Sequence, residues 1–378
     1  MAFVLHGRRI AGSARFLTAV RLAYLLGTAY TLLWAPVRSG PGGHLLLRTF
    51  DRWDSRWFTR IAEHGYSTKQ AAAFFPVYPM LVRAVGWTVR NEVAAGMLVS
   101  LAAAAGSAVL LERIARRHLG SGGARTAVVL LAFYPLAFVF TAVYSDALFL
   151  LFVLAAVDAA ERGRSLAAGV AAAVAVDTRL LGLALLPTLV VLLWPRRRDL
   201  LPLLLVPVAL GLWLLYLHEH YGDAFAFSHA EERYWQRDAP SLHAYIQAAH
   251  KFEIAFANLL LHLPSRGPYP DYVTLAAKTL FDLVFLVAAV WLSWLAWRRV
   301  GPALALYSWT TLLLVCAAPT SWEPLVSLPR FLLADFPLFL VLASLLEGRP
   351  RAREVVIAGF AAVGAAAAIG FAHGAGIA

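Results

Sequence analysis

Arg52-Trp53-Asp54-Ser55-Arg56-Trp57-Phe58-Thr59-Arg60-Ile61-Ala62-Glu63-His64-Gly65-Tyr66, followed by Phe74-Phe75-Pro76-Val77-Tyr78-Pro79, is a charge-dense, aromatic stretch in an otherwise apolar chain. Wound as a helix, Trp53, Trp57, Phe58 and Ile61 share one face, and Asp54 falls on that face between Ile61 and Phe58. Arg56, Arg60 and Glu63 point the other way. A carboxylate on the apolar face of a membrane-surface helix has two explanations. Asp54 caps the helix, or Asp51 caps it with Asp54 at the third position. Alternatively, Asp54 points into a cavity and does chemistry.

The chain around this stretch is 61% hydrophobic and 15% charged, with a mean hydropathy of +0.68. Such a composition excludes a soluble protein. Apolar runs of roughly 20 residues, enough to cross a hydrocarbon core, recur along the sequence. Candidate spans are 16–36, 93–111, 125–142, 146–160, 165–177, 180–194, 200–217, 274–297, 302–318, 331–346 and 354–374. The expected fold is therefore an all-α integral-membrane helix bundle, polytopic, with about 11 transmembrane helices in a single domain over 1–378. The pair 165–177 and 180–194 reads either as two full crossings or as a broken hairpin. The run from Phe16 is too long for a signal-peptide core and reads as an uncleaved first span.

The net charge of +11 does not point to nucleic acid, because the basic residues sit in short clusters between apolar runs. If every span crosses, the clusters Arg8/Arg9/Arg15, Arg113/Arg116/Arg117/Arg125, Arg162/Arg164, Arg196/Arg197/Arg198, Arg298/Arg299 and Arg349/Arg351/Arg353 share one side. The positive-inside rule makes that side, and the N-terminus, cytoplasmic. The other side collects the loop 37–92, the turns at Tyr144-Ser145-Asp146 and Asp177-Thr178-Arg179, the loop 218–273, and Arg330. Two helices, 53–64 and one near 77–90, are expected to lie along the outer surface within the first of these loops.

Asp177-Thr178-Arg179-Leu180-Leu181-Gly182 either closes a hairpin with a local ion pair or offers Arg179 to a phosphate, whose oxygens a guanidinium fork matches. Arg330 is either a snorkelling interfacial arginine or a second phosphate ligand. Asp146 either caps the helix that follows or orients an arginine in the cavity. Six of the 11 histidines, His218, His220, His229, His243, His250 and His262, fall in the loop 218–273. HExxH and paired-Cys spacings are absent, so no metal site is assigned, and metal dependence is left open. Walker A, GxGxxG and GxSxG patterns are also absent, and no cofactor is expected.

In order along the chain, these residues resemble the PIG-V-like mannosyltransferases, integral-membrane glycosyltransferases of GT-C fold. Trp53-Asp54-Ser55 through Tyr66, then Ala73-Phe74-Phe75-Pro76-Val77-Tyr78-Pro79, is similar to the family's first-loop signature. Tyr134-Pro135 with Tyr144-Ser145-Asp146-Ala147-Leu148-Phe149, Arg179 through Gly182, Gly222-Asp223 through Phe227 with Trp235, and Arg330-Phe331 with Phe336-Pro337 resemble later motifs. Asp146 departs from the family's glutamate, and its shorter reach argues against a direct catalytic role.

The resemblance implies inverting transfer of a mannosyl or other hexosyl group from a polyprenyl-phosphate donor to an acceptor hydroxyl at the outer face of the cell membrane. Asp54, or Asp51, would be the base. Arg179 and Arg330 would hold the donor phosphate. Trp53, Trp57, Phe75, Tyr78, Tyr144 and Asp146 would line the substrate cavity. The Ala-, Arg- and Gly-rich composition resembles that of a high-GC bacterium, so the acceptor would be a bacterial glycolipid, glycan or protein. The rival readings are a polytopic lipid or solute transporter or flippase, and a scaffold with a degenerate site.

Overall fold

The computed structural model describes residues 2–34, 45–237, 272–320 and 325–376, with isolated positions between 245 and 257. Its described residues are helical throughout, apart from turns and a lone antiparallel bridge between Arg237 and Thr320. Among the described residues, four helices are long and apolar enough to cross a membrane: Glu92–Phe133, Arg197–Tyr221, Ala277–Arg299 and Pro350–Ala372. A fifth is the pair Leu328–Ala334 and Phe336–Leu345, bent by 83°. The protein is thus an integral membrane protein. The apolar helices Ser165–Thr178, Leu180–Leu193 and Pro302–Cys316 are each too short to meet that criterion alone. The expected count of about 11 is therefore not reproduced by length and composition.

Contacts between the limbs show how the chain runs. In the long helix Glu92–Phe133, Gly120 has φ 71 and ψ −169, a break that only glycine adopts readily. Beyond it the chain turns back. The first limb, up to residue 119, lies parallel to the helix Asp146–Glu161. Ser100 donates to the carbonyl of Tyr144 at 3.0 Å, and Arg117 bonds Asp158 at 2.8 Å. Residues 121–144 must therefore return the chain to the level where it started. The expected span 125–142 ends as an α-helix at Phe133, because Pro135 follows Tyr134 and disfavours helical backbone there.

From Arg162 the helix Ser165–Thr178 runs back, so Asp146 and Arg179 meet at one end. The next limb, 180–193, returns again, and Ser165 then faces Asp199 at 3.3 Å. The pair 165–194 is therefore a hairpin of two limbs. Close packing relies on small residues: a Cβ on Gly96 would lie 2.4 Å from Val143, and one on Gly106 would lie 2.9 Å from Leu151.

The two ends of the bundle differ in chemistry. One carries an ionic mesh in which Arg117 joins Asp158 and Glu161, Arg162 reaches Asp158 at 3.2 Å, and Arg116 pairs with Glu112. The other carries the first-loop helices and a cavity. Those helices are Asp54–His64, ended by Gly65 at φ 68, and Val77–Val89, ended by left-handed Arg90. Asn91 then caps the following helix, its side chain accepting from Ala94 N at 2.8 Å.

Candidate active site

The apolar face read from the sequence fixes the first loop. Phe58 and Ile61 are buried, while Arg56, Arg60 and Glu63 are exposed. Phe58 packs edge-on against Phe74 at 5.1 Å and Tyr78 at 4.8 Å. This seats the first turn of the helix, and Asp54 with it, at the cavity wall. Trp53 is not part of the helix: it stands before it at φ 55 and ψ −123, without a side-chain cap bond. Neither carboxylate caps this helix. Asp51 instead accepts from the Thr59 hydroxyl at 3.0 Å, and burial pushes its carboxyl up.

Asp54 meets an arginine from near the other end of the sequence. Arg330 Nη1 donates to Asp54 Oδ2 at 2.9 Å, and Arg330 Nε lies 3.7 Å from Asp146 Oδ1. The same Asp146 oxygen accepts from Arg179 Nη1 at 2.7 Å. Asp54, Arg330, Asp146 and Arg179 thus form an alternating chain of charges. Asp177 is not part of it, so Arg179 does not close a local ion pair. The Arg330 guanidinium also lies over the Tyr144 ring, 5.2 Å from its centre. Arg330 Nε, Tyr144 OH and Asp146 Oδ2 are buried and lack a hydrogen-bond partner among the described residues. Asp146 lies beneath the two arginines as their shared counter-ion.

Gly182 explains how the Arg179 turn fits. A Cβ there would lie 2.7 Å from Val176 N and 2.8 Å from Ala175 C, both backbone atoms. Only glycine lets the turn fold this tightly onto the end of the helix Ser165–Thr178.

The cavity over these groups measures about 770 Å³. One wall is aromatic: Trp57, Phe74 and Trp235 pack with centroid separations of 5.9, 5.8 and 5.4 Å. Trp53, Trp57, Phe75 and Tyr144 line the cavity as expected from sequence. Three expectations need correction: Asp146 is buried against Arg179 and Arg330 and does not itself line the cavity. Tyr78 is fully buried behind the wall, its hydroxyl bonded to Gly96 O at 3.1 Å and Ser100 Oγ at 2.8 Å. Asp51 faces Thr59 and does not line the cavity.

Sequence reasoning missed Arg237. The helix Ala226–Trp235 ends in left-handed Gln236, and Arg237 then forms the antiparallel bridge with Thr320. Its Nε lies 3.3 Å from Glu231 Oε2, and its guanidinium sits 5.3 Å from the Phe331 ring centre. Arg179 and Arg330 lie 5.0 and 5.4 Å from that same centre. No local pattern marks Arg237; it becomes a site residue only when the loops meet. Trp53, Gln236 and Ser327, three of the four non-glycine residues at positive φ among the described residues, line this cavity. Strained backbone of this kind costs about 1–3 kcal/mol per residue and clusters at functional sites.

Among the described residues no three His, Cys, Asp or Glu side chains group as a metal site. His220 bonds Tyr66 O at 2.8 Å, and His229 bonds Asp223 at 2.7 Å. His243 and His262 lie outside the described residues.

The fold is that of the GT-C enzymes. Over 94% of its length the chain superposes on 64% of ArnT from Cupriavidus metallidurans bound to undecaprenyl phosphate, with a TM-score of 0.52 at 19% identity. Residues 43–193 match the family model for mannosyltransferase (PIG-V). GPI alpha-1,6-mannosyltransferase 2 of Rattus norvegicus is 30% identical over 197 residues, covering 46% of this chain and 40% of the rat protein. The Cricetulus griseus protein of the same name is 33% identical over 151 residues, covering 36% and 30% respectively. On a GT-C fold, residues 43–193 are thus similar to the PIG-V mannosyltransferases, and the chain spans less than half the length of the rat relative. The family match holds Asp51, Asp54, Asp146 and Arg179, whereas Arg237 and Arg330 lie beyond it.

Proposed function

We propose that the protein transfers a mannosyl or related hexosyl group from a polyprenyl-phosphate donor to an acceptor hydroxyl, with inversion, at the outer face of the cell membrane. The N-terminus would be cytoplasmic. The observation that carries this reading is the Asp54–Arg330–Asp146–Arg179 charge chain beside a cavity with one aromatic wall. Sugar transfer of this kind requires a carboxylate on one side of the anomeric carbon and cations on the other. Asp54 takes the proton from the acceptor hydroxyl, whose oxygen attacks the anomeric carbon. The bond from that carbon to the phosphate oxygen breaks, and the phosphate leaves with the electron pair. Arg179 and Arg330 stabilise the growing charge, and Asp146 positions both.

The mannosyl group is carried over from the relatives named as GPI mannosyltransferases, and the lipid phosphate from ArnT, crystallised with undecaprenyl phosphate. The acceptor class is a glycolipid, glycan or protein bearing a free hydroxyl. A transporter would carry charges through the bundle at several depths. Here the charges at the cavity stand apart from the ionic mesh of Arg117, Asp158 and Glu161 at the opposite end. That separation favours a one-sided enzyme site.

The test is transfer from radiolabelled polyprenyl-phosphate mannose by purified protein in detergent, with the Asp54→Asn variant as control. A transporter has no activity without a sealed bilayer. Wild-type protein that is inert toward mannose- and glucose-linked donors with a panel of hydroxyl acceptors would count against the enzyme reading.

A further inference from the structure

Three guanidinium groups surround the Phe331 ring at 5.0, 5.3 and 5.4 Å, and only two of them were anticipated from the sequence. The two anticipated ones are each tied to an aspartate: Arg179 to Asp146 at 2.7 Å and Arg330 to Asp54 at 2.9 Å. The third, Arg237, meets Glu231 less closely, at 3.3 Å, and through Nε rather than through the terminal nitrogens. A guanidinium held at Nε still presents its two terminal NH₂ groups, the donors that grip an oxyanion.

We propose that Arg237 is a third ligand for the phosphate of the lipid donor, held by Glu231 as a positioning residue. The inference rests on the reading of the cavity as a lipid-phosphate site.

Three observations support it. First, Arg237 lines the same cavity as Arg179 and Arg330. Second, its backbone is fixed from both sides, by left-handed Gln236 and by the bridge to Thr320, so the side chain is delivered rather than left to sample solvent. Third, the charges suit a leaving phosphate. Arg179, Arg237 and Arg330 meet Asp146, Glu231 and Asp54 in turn, and Glu232 also lines the cavity. Transfer turns a phosphodiester into a monoester and adds negative charge, while Asp54 loses its own by taking the acceptor proton. The total charge is unchanged, but it moves from the carboxylate to the phosphate, where a third guanidinium beside Phe331 meets it. Burial also pushes the Glu231 carboxyl up, against the pull of Arg237.

The test measures binding of undecaprenyl phosphate, and of undecaprenol as the phosphate-free control, to purified full-length protein in detergent. Wild type is compared with Arg237→Lys, Arg237→Gln and Glu231→Gln, each checked for monodispersity. The backbone bridge to Thr320 does not depend on the side chain, so these variants are expected to fold. Arg237→Gln should weaken phosphate binding about tenfold or more and leave undecaprenol binding unchanged. Arg237→Lys should recover part of the loss, because it restores charge without the fork. Glu231→Gln should lower phosphate affinity less than Arg237→Gln does.

Equal affinity of wild type and Arg237→Gln for undecaprenyl phosphate overturns the proposal while leaving the donor site itself standing. Equal loss for both lipids gives Arg237 a packing role and also overturns it. Wild-type protein that does not prefer the phosphate over the alcohol overturns the donor-site reading, and this inference with it.

Discussion

Arg330 Nη1 and Asp54 Oδ2 are bonded at 2.9 Å across 276 positions of sequence, so the proposed base and a proposed phosphate ligand hold each other in the empty site. The carboxylate that should take a proton is neutralised until something else takes the guanidinium. A donor phosphate supplies that competitor, which makes donor binding the step that frees Asp54. Acceptor should then bind productively only after donor, and initial-rate kinetics should fit an ordered scheme.

Asp54→Asn should lower turnover a hundredfold or more while leaving the protein folded. Asparagine keeps the shape and can still accept from Arg330, but it cannot take a proton. Asp51→Asn is the matched control: Asp51 contacts Thr59 away from the cavity and should retain near-normal turnover. Steady-state assays on both variants check this, and the reverse pattern would move the base to Asp51.

Lysine at Arg179 or Arg330 should leave partial activity, about tenfold to a hundredfold below wild type. It keeps the charge but loses the fork and the stacking on Phe331. Alanine at Arg330 should do more, because it strands the carboxylates of Asp54 and Asp146 together; a loss of about 3 kcal/mol in stability is expected. Thermal unfolding in detergent alongside the transfer assay separates the two effects.

Tyr78→Phe should cost stability and not chemistry. Its hydroxyl is buried against Gly96 O and Ser100 Oγ, so removing it should cost about 1–2 kcal/mol, with KM for the donor unchanged. A shift in KM without a change in Tm would return Tyr78 to the cavity.

Gly182→Ala should push the Arg179 turn off the end of its helix, because the added methyl meets backbone at 2.7 Å. Overpacking of this kind costs about 1–3 kcal/mol, and the displaced arginine should lower turnover as well. Gly211→Ala serves as control: a Cβ there meets nothing within 4 Å, so activity should not fall. Donor titration against both variants reads the difference.

Residue pattern along the chain dictates the material and much of the machinery. Long apolar runs require internally bonded helices in lipid, because no water is there to satisfy the backbone. The amphipathic face of residues 54–64 set the first-loop helix, with Phe58 and Ile61 inward and Arg56 and Arg60 outward. Polar residues between apolar runs marked Asp54, Arg179 and Arg330, and these meet in one cavity. Tertiary structure decided the rest. Tyr78 and Phe75 read alike in sequence, yet one is sealed behind the wall and the other lines the cavity, because packing against Gly96 and Ser100 is not a local property. Asp146 became the shared counter-ion of two arginines only when three helix ends met. Arg237 had no pattern to announce it; a left-handed residue and a two-residue bridge brought it to Phe331. Periodicity is written along the chain because each helix must bury its own face. The partners of a charge are set by which loops the folded bundle brings together.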